Sequence, residues 1–267
     1  MRFGSSTLDS TPHTTVGLRL HARCLVAQQA GHGVVRIPQS YIAPLDDTTC
    51  IIIRQLLVQH RLRCVIHAPI TAPHTIVSQL TAYADFLYQL GADDGVIICH
   101  MTSATAHDWR ALSELPTQIQ RYVAVELTNQ SIDVLCGYGV PIIFDWLHYH
   151  VLSPWPYLPV ASALQCTQTW RGRRPLIHLS SPDTADDGNS HPHGNGRHSA
   201  YLDWATLMHF IGQLSAHVGD AFDIEVEARA GAKAVAHFLQ QCQQHTPPHW
   251  QHLWQSSTPS RGQACSR

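Results

Sequence analysis

Short apolar runs rich in Val and Ile recur along this chain, and six of them deliver a side chain that can hold a metal. RCVIH ends on His67, GVIICH on His100, YVAVE on Glu126 and PLIH on His178; VPIIFDWLH carries Asp145 and His148, and AFDIEVE carries Glu225 and Glu227. Near-continuous apolar character in a short segment suits a strand buried on both faces, as in a parallel sheet. A parallel α/β barrel builds its site from residues at the C-terminal ends of such strands. A single run of this kind means little, because a strand-end His is more often a hydrogen-bonded residue than a ligand, and this chain has 20 His. Six runs in order along one chain point to a multinuclear metal centre.

Eight strands are expected, over 16–20, 33–37, 63–67, 95–100, 122–126, 140–145, 175–179 and 222–227. Helical patterns fall between them, over 46–60, 75–90, 106–115, 131–137, 160–170, 200–215 and 232–243. In the first of these Ile52, Leu56 and Leu57 recur at helical spacing after the candidate caps Asp47, Thr48 and Thr49. In the second, Gly91 sits where a C-cap belongs. Strands alternating with helices imply a parallel sheet, and eight such units imply a closed (β/α)8 TIM barrel in a single domain. The expected organisation is a flexible N-terminal tail over 1–15, the barrel over 16–244 and a flexible polar tail over 245–267. The polar, Gly-rich stretch 183–196 follows the seventh strand, at the face where barrel sites are built.

Composition narrows the function. The 267 residues suit one barrel, and 44% hydrophobic content is enough for its core. No apolar stretch approaches the ~20 residues needed to cross a bilayer, and the first residues lack the apolar core of a secretory signal. The eight Cys are scattered without CxxC spacing, and are expected to be reduced, in a cytoplasmic protein. A net charge of −2 excludes a broadly basic nucleic-acid binder. It does not exclude DNA, because bound divalent cations add positive charge that residue counting omits. Arg171, Arg173 and Arg174 precede the seventh strand and are read as a solvated loop at the end of the barrel away from the site.

Imidazole and carboxylate together suit Zn²⁺, Mn²⁺ or Fe²⁺. Asp145 and His148, three apart at a strand end, can turn into one pocket. Glu225 and Glu227 share one face of their strand with Asp223, while Phe222, Ile224 and Val226 occupy the other.

Several segments together resemble the UV damage endonucleases, relatives of endonuclease IV among the xylose-isomerase-like barrels. They are RIPQSYIAPL (36–45), IHAP (66–69), VIICH (96–100), VELTN (125–129), GVPIIFDWLHYH (139–150), TW (169–170), RRPLIHLSSP (173–182), RHSAYLD (197–203) and VEARAGAKAV (226–235). The resemblance implies a cluster of two or three divalent ions, typically Mn²⁺ with Zn²⁺ or Mg²⁺ as alternatives. The implied ligands are His67, His100, Glu126, Asp145, His148, His178, His198 and Glu227. It is the resemblance that selects His198 from a His-rich loop and Glu227 over Glu225. Glu126, Glu227 and His198 are the candidate catalytic groups. The implied chemistry is hydrolysis of the phosphodiester 5′ of a lesion in double-stranded DNA, by a monomer with no membrane partner. Three features depart from the family pattern: Leu176 stands where the family has a lysine, 67–70 lack the Gln and aromatic that follow the family's first ligand histidine, and the segment after the first expected strand is much shorter than the family's. A rival reading keeps the metal barrel and makes it a sugar isomerase or epimerase with Glu126 and Glu227 as acid and base. A third is a non-catalytic relative.

Overall fold

A computed structural model of the chain describes residues 1–5, 16–30, 32–69, 76–100, 106–128, 131–152, 159–183 and 197–245. Seven strands form where the apolar runs place them: β2 (Val34–Arg36), β3 (Arg63–Pro69), β4 (Val96–His100), β5 (Val123–Glu126), β6 (Ile142–Asp145), β7 (Leu176–Leu179) and β8 (Asp223–Val226). The eighth, β1 (Arg2–Ser5), lies in the segment expected to be tail, and its pairing with both β2 and β8 closes an all-parallel barrel in the order β1 to β8.

The expected strand over 16–20 is instead the start of helix α1 (Val16–Gln29). Val16, Leu18 and Leu20 alternate like a strand, but only Leu20 of the three is buried, in line with Cys24 and Ala27 one and two turns on. The helical period continues for 14 residues and outweighs the local alternation. β1 escapes such a reading because it is four residues long and half polar. Arg2 points down the barrel, and Phe3 points outward to meet Phe238 at 6.2 Å between ring centroids. At Gly4 a Cβ would stand 2.2 Å from the Val34 carbonyl oxygen, so only glycine lets β1 approach β2 this closely.

The other helices are α2 (Asp47–His60), α3 (Ile76–Gln89), α4 (Ala106–Ser113), α5 (Thr117–Gln120), α6 (Ile132–Cys136), α7 (Trp146–Leu152), α8 (Pro159–Gln168), α9 (Trp204–Val218) and α10 (Ala232–His245). The cap of α2 is Asp46, whose carboxylate accepts from Thr49 N at 2.9 Å, one residue before the expected candidates. Gly91 closes α3 with φ +63°. α10 runs through His245, while 246–267, 6–15 and 184–196 lie outside the described residues, so the expectations made for those stretches fall there too.

Alternate strand residues divide the core. Val34, Val65, Val96, Ile98, Ala124, Ile143, Trp170 and Leu176 fill the barrel interior, while Val35, Ile66, Ile97, Val125, Phe144 and Ile224 pack under the helices. The N-terminal floor is closed by Asp223, fully buried, which accepts from Arg2 (2.7 and 3.0 Å), Arg63 (2.9 Å) and Arg174 (2.7 Å). Burial pushes this carboxyl up, but the three guanidinium groups win and hold it below the usual carboxylate range. Arg63 and Arg173 also face the buried Trp170 ring, at 5.5 and 5.1 Å. The arginines before β7 do lie at the end away from the site, but the solvated-loop reading holds only for Arg171: Arg174 and Arg173 seal the floor. Seven cysteines among the described residues are free, as expected.

Candidate metal centre

At the opposite end of the barrel, the strand alternation that puts apolar residues in the interior puts polar residues on its top layer. β2 ends on Arg36, β3 carries His67, β4 ends on His100, β5 on Glu126, β6 on Asp145, and β7 carries His178. β8 carries Glu225 and is followed at once by Glu227. His148 lies in the first turn of α7, where its backbone N donates to Asp145 Oδ1 at 2.6 Å. That turn folds the Asp-x-x-His spacing back over the end of β6. His198 arrives from beyond the β7 loop: Pro182 and His198 form an antiparallel bridge, Asp183 N donates to the Arg197 carbonyl, and Ser199 N donates to the Ser181 carbonyl. Arg229 pins the base of this strap through Asp183 at 2.9 Å. Gln39 Nε2 donates to the His67 carbonyl at 2.6 Å and holds the end of β3.

Glu126 is the hub. Its Oε2 lies 2.9 Å from His100 Nδ1; its Oε1 lies 2.9 Å from His148 Nδ1 and 3.7 Å from His178 Nδ1. His178 Nδ1 also stands 3.7 Å from Asp145 Oδ2 and 3.5 Å from Glu227 Oε2. His67 Nδ1 is 3.0 Å from His100 Nε2, and His198 Nε2 is 3.9 Å from Glu227 Oε2 at the rim. Three donor sets have their ligand atoms within 4.8 Å of one another: His67, His100 and Glu126; Glu126, Asp145, His178 and Glu227; and His67, His178 and Glu225. The structure thus gathers all eight residues singled out in the sequence around one mouth, six of them in these sets and His148 and His198 beside them.

Two residues were missed. Glu225, passed over for its neighbour, points inward one layer below Glu227. Arg36 reaches to 3.9 Å from Glu227 Oε1 and is the guanidinium at the edge of the cluster. The alternation of β8 and of β2 marks both as inward-facing; what the sequence does not give is the depth of each.

The charge state follows from this crowding. Burial alone would raise the Glu126 carboxyl, but His178, His100 and His148 hold it well below the usual carboxylate range. Burial alone would lower His148, but Glu126 and Asp145 push it up to about 9. His178, fully buried, is raised well above the ordinary imidazole value, by Glu227 and Glu126 against its burial. The close approaches nonetheless leave much unsatisfied. Both oxygens of Glu126, Asp145 Oδ2, His148 Nδ1, both nitrogens of His178, and His198 Nδ1 are buried without an aligned hydrogen-bond partner. Orphaned buried groups are costly. Here they are mixed nitrogen and oxygen donors aimed at one another, the chemistry that fits Zn²⁺, Mn²⁺ or Fe²⁺.

Solved structures with this architecture are numerous, and the coverage is nearly complete. AsfvAP, in the structure AsfvAP:AG, aligns with TM-score 0.61 at 11% identity over 91% of this chain and 98% of its own. A D-tagatose 3-epimerase-like protein aligns with TM-score 0.59 at 12% identity over 91% and 99%. A xylose isomerase domain protein from Planctomyces limnophilus aligns with TM-score 0.57 at 15% identity over 83% and 90%. The chain shares with these proteins the fold of a closed, eight-stranded parallel α/β barrel. No protein-family model matches the sequence, and no curated protein matches it. At these identities the likeness speaks for the fold; the neighbours include enzymes that act on sugars, and the choice among activities falls to the residues at the mouth.

Proposed function

We propose that this protein is a metal-dependent endonuclease of the UV damage type, cutting the DNA backbone 5′ of a lesion with two or three divalent ions, Mn²⁺ foremost. The observation that carries this reading is a shared donor: Glu126 belongs to both donor sets at the mouth, one with His67 and His100 and the other with Asp145, His178 and Glu227. Adjacent ion positions that share ligands are what a phosphodiester clamp requires, whereas a site for one ion needs no such overlap. When bound, the ions supply positive charge to the phosphoryl oxygens and ease deprotonation of the attacking water. The ligand set is His67, His100, Glu126, Asp145, His148, His178, His198 and Glu227. Within it, Glu126 and Glu227 place carboxylates on two sides of His178, and His198 stands at the rim beside Glu227. Arg36, partly exposed and only loosely paired with Glu227, offers a guanidinium to a substrate phosphate. The neutral overall balance leaves that local charge and the ions to attract the backbone.

The test is incubation of purified protein with UV-irradiated or abasic plasmid in Mn²⁺, Mg²⁺ or Co²⁺. Nicks with a 3′-hydroxyl immediately 5′ of the lesion are expected; intact plasmid with all three ions sinks the reading. A second reading, a sugar epimerase using Glu126 and Glu227 as acid and base, draws on the D-tagatose 3-epimerase-like neighbour. One bound ion per chain would favour it, and two or three favour the nuclease.

A further inference from the structure

β8 sets three carboxylates on the inner wall at three depths. Asp223 is neutralised by arginines on the floor and Glu227 reaches the mouth. Glu225 lies between them, in register with His178 on β7. The barrel interior below the mouth is apolar, filled by Val65, Ile98, Ala124, Ile143 and Leu176 among others, and the groups that hold the Glu225 carboxyl down against its burial are His67 and His178. A fully buried carboxylate in such a layer demands hydrogen-bond donors. Two stand in reach. Oε2 lies 3.1 Å from His67 Nε2 and 3.4 Å from His178 Nε2. The first contact is an aligned hydrogen bond. At the second, His178 Nε2 lacks an aligned partner, and so does the other oxygen, Oε1. A small rotation of the carboxylate gives each histidine one oxygen.

The two imidazoles are arranged for this. Their rings stack at 5.3 Å with planes 10° apart. Both turn Nε2 down to Glu225 and Nδ1 up: His67 Nδ1 toward His100 and Glu227, His178 Nδ1 toward Glu126, Asp145 and Glu227. Above Glu225, the two histidines belong to different donor sets, one containing His100 and the other Asp145.

We propose that Glu225 is a positioning residue that clamps both Nε2–H groups, presents both Nδ1 lone pairs to the ions, and ties two adjacent ion positions into one unit. This rests on the metal-centre reading above, but not on DNA as the substrate. A carboxylate behind a ligand histidine fixes its tautomer and raises its basicity; here one carboxylate does so for two ligands at once. Glu225 and His178 are both fully buried.

The experiment needs no DNA. In Zn²⁺-loaded protein, long-range ¹H–¹⁵N correlation should show the His67 and His178 rings protonated at Nε2 and coordinated through Nδ1; coordination through Nε2 overturns the proposal. In parallel, Mn²⁺ is titrated calorimetrically into chelator-treated wild type and Glu225→Gln, with circular dichroism confirming that both are folded. The expected variant keeps the wild-type ion stoichiometry and binds roughly 10–100-fold more weakly. Wild-type affinity in the variant overturns the proposal. So does the loss of one ion per chain at saturating Mn²⁺, which would make Glu225 a ligand itself. The tautomer measurement uses wild type alone, so it decides the matter even where the variant fails to fold. Wild type that binds two or three ions but leaves irradiated DNA intact defeats the nuclease reading and leaves this one standing; wild type that binds no ion defeats both.

Discussion

At the scale of single residues, a cation entering the centre would compete with protons for the same nitrogens. His148, held up to about 9 by Glu126 and Asp145 against its burial, is protonated at neutral pH in the metal-free protein. Its folded value exceeds the ordinary 6.5, so the ion pair contributes stability that is fully present below 6.5 and is lost as pH rises toward about 9. Metal binding has the opposite sign, since the same nitrogen must lose its proton to ligate, and each proton displaced costs about tenfold in affinity per pH unit below the folded value. The melting temperature in chelator is therefore expected to fall between pH 6.5 and 9, while Mn²⁺ affinity measured by calorimetry rises over the same window. Parallel trends would refute the proton competition. Arg36 gives a second residue-scale prediction. Charge-assisted hydrogen bonds contribute about 1.5–3 kcal/mol, so Arg36→Gln should raise KM for nicking by roughly 10–100-fold while ion stoichiometry stays at the wild-type value. An unchanged KM with a lost ion would instead make Arg36 a support for Glu227.

At the scale of elements, the barrel and the His, Asp and Glu at its strand ends were legible because both rest on alternation along short strands. Val65 and His67, Ile98 and His100, and Ala124 and Glu126 repeat one pattern: an apolar residue in the interior, then a donor at the mouth. Two things were not legible. Pairing across the barrel decides depth, so the roles of Glu225 and Glu227 could not be separated from spacing alone. β1 could not be found from its composition, because its identity lies in what it touches: Arg2 on Asp223, Phe3 on Phe238, and Gly4 against Val34. The strand reading of 16–20 failed for a related reason, since an alternation of three apolar residues is also the start of a longer helical period. The Gly4 contact yields a test. A methyl group there meets backbone at 2.2 Å, which cannot be relieved by a rotamer change. Gly4→Ala should destabilise by about 1–3 kcal/mol or more, in line with overpacking elsewhere. Denaturant unfolding of this variant beside Gly137→Ala, whose Cβ would meet nothing nearer than the Val134 carbonyl oxygen at 3.3 Å, separates backbone clash from the loss of a glycine.

At the scale of the whole molecule, the barrel carries two polar poles separated by an apolar interior. The floor holds one carboxylate among three guanidinium groups; the mouth holds carboxylates and imidazoles that a cation would complete. Asp223 opens β8 and Glu227 follows its end, four residues on, roughly 13 Å along an extended chain. Removing the floor carboxylate leaves buried Arg63 uncompensated, and breaking a buried pair from one side costs about 3–5 kcal/mol. Asp223→Asn should therefore melt well below wild type in chelator. Metal should stabilise both proteins through the other pole. At free ion 1,000-fold above Kd the gain is about 4 kcal/mol, which for a chain of this size is roughly 8–16 °C in Tm. Sites this far apart without shared partners add within about 0.3–0.5 kcal/mol, so the rise produced by Mn²⁺ should be equal in wild type and Asp223→Asn. A rise that shrinks in the variant would show that the floor helps set the geometry of the mouth through β8. In that case the three carboxylates of β8 would act as a single device, with Glu225 as its middle link.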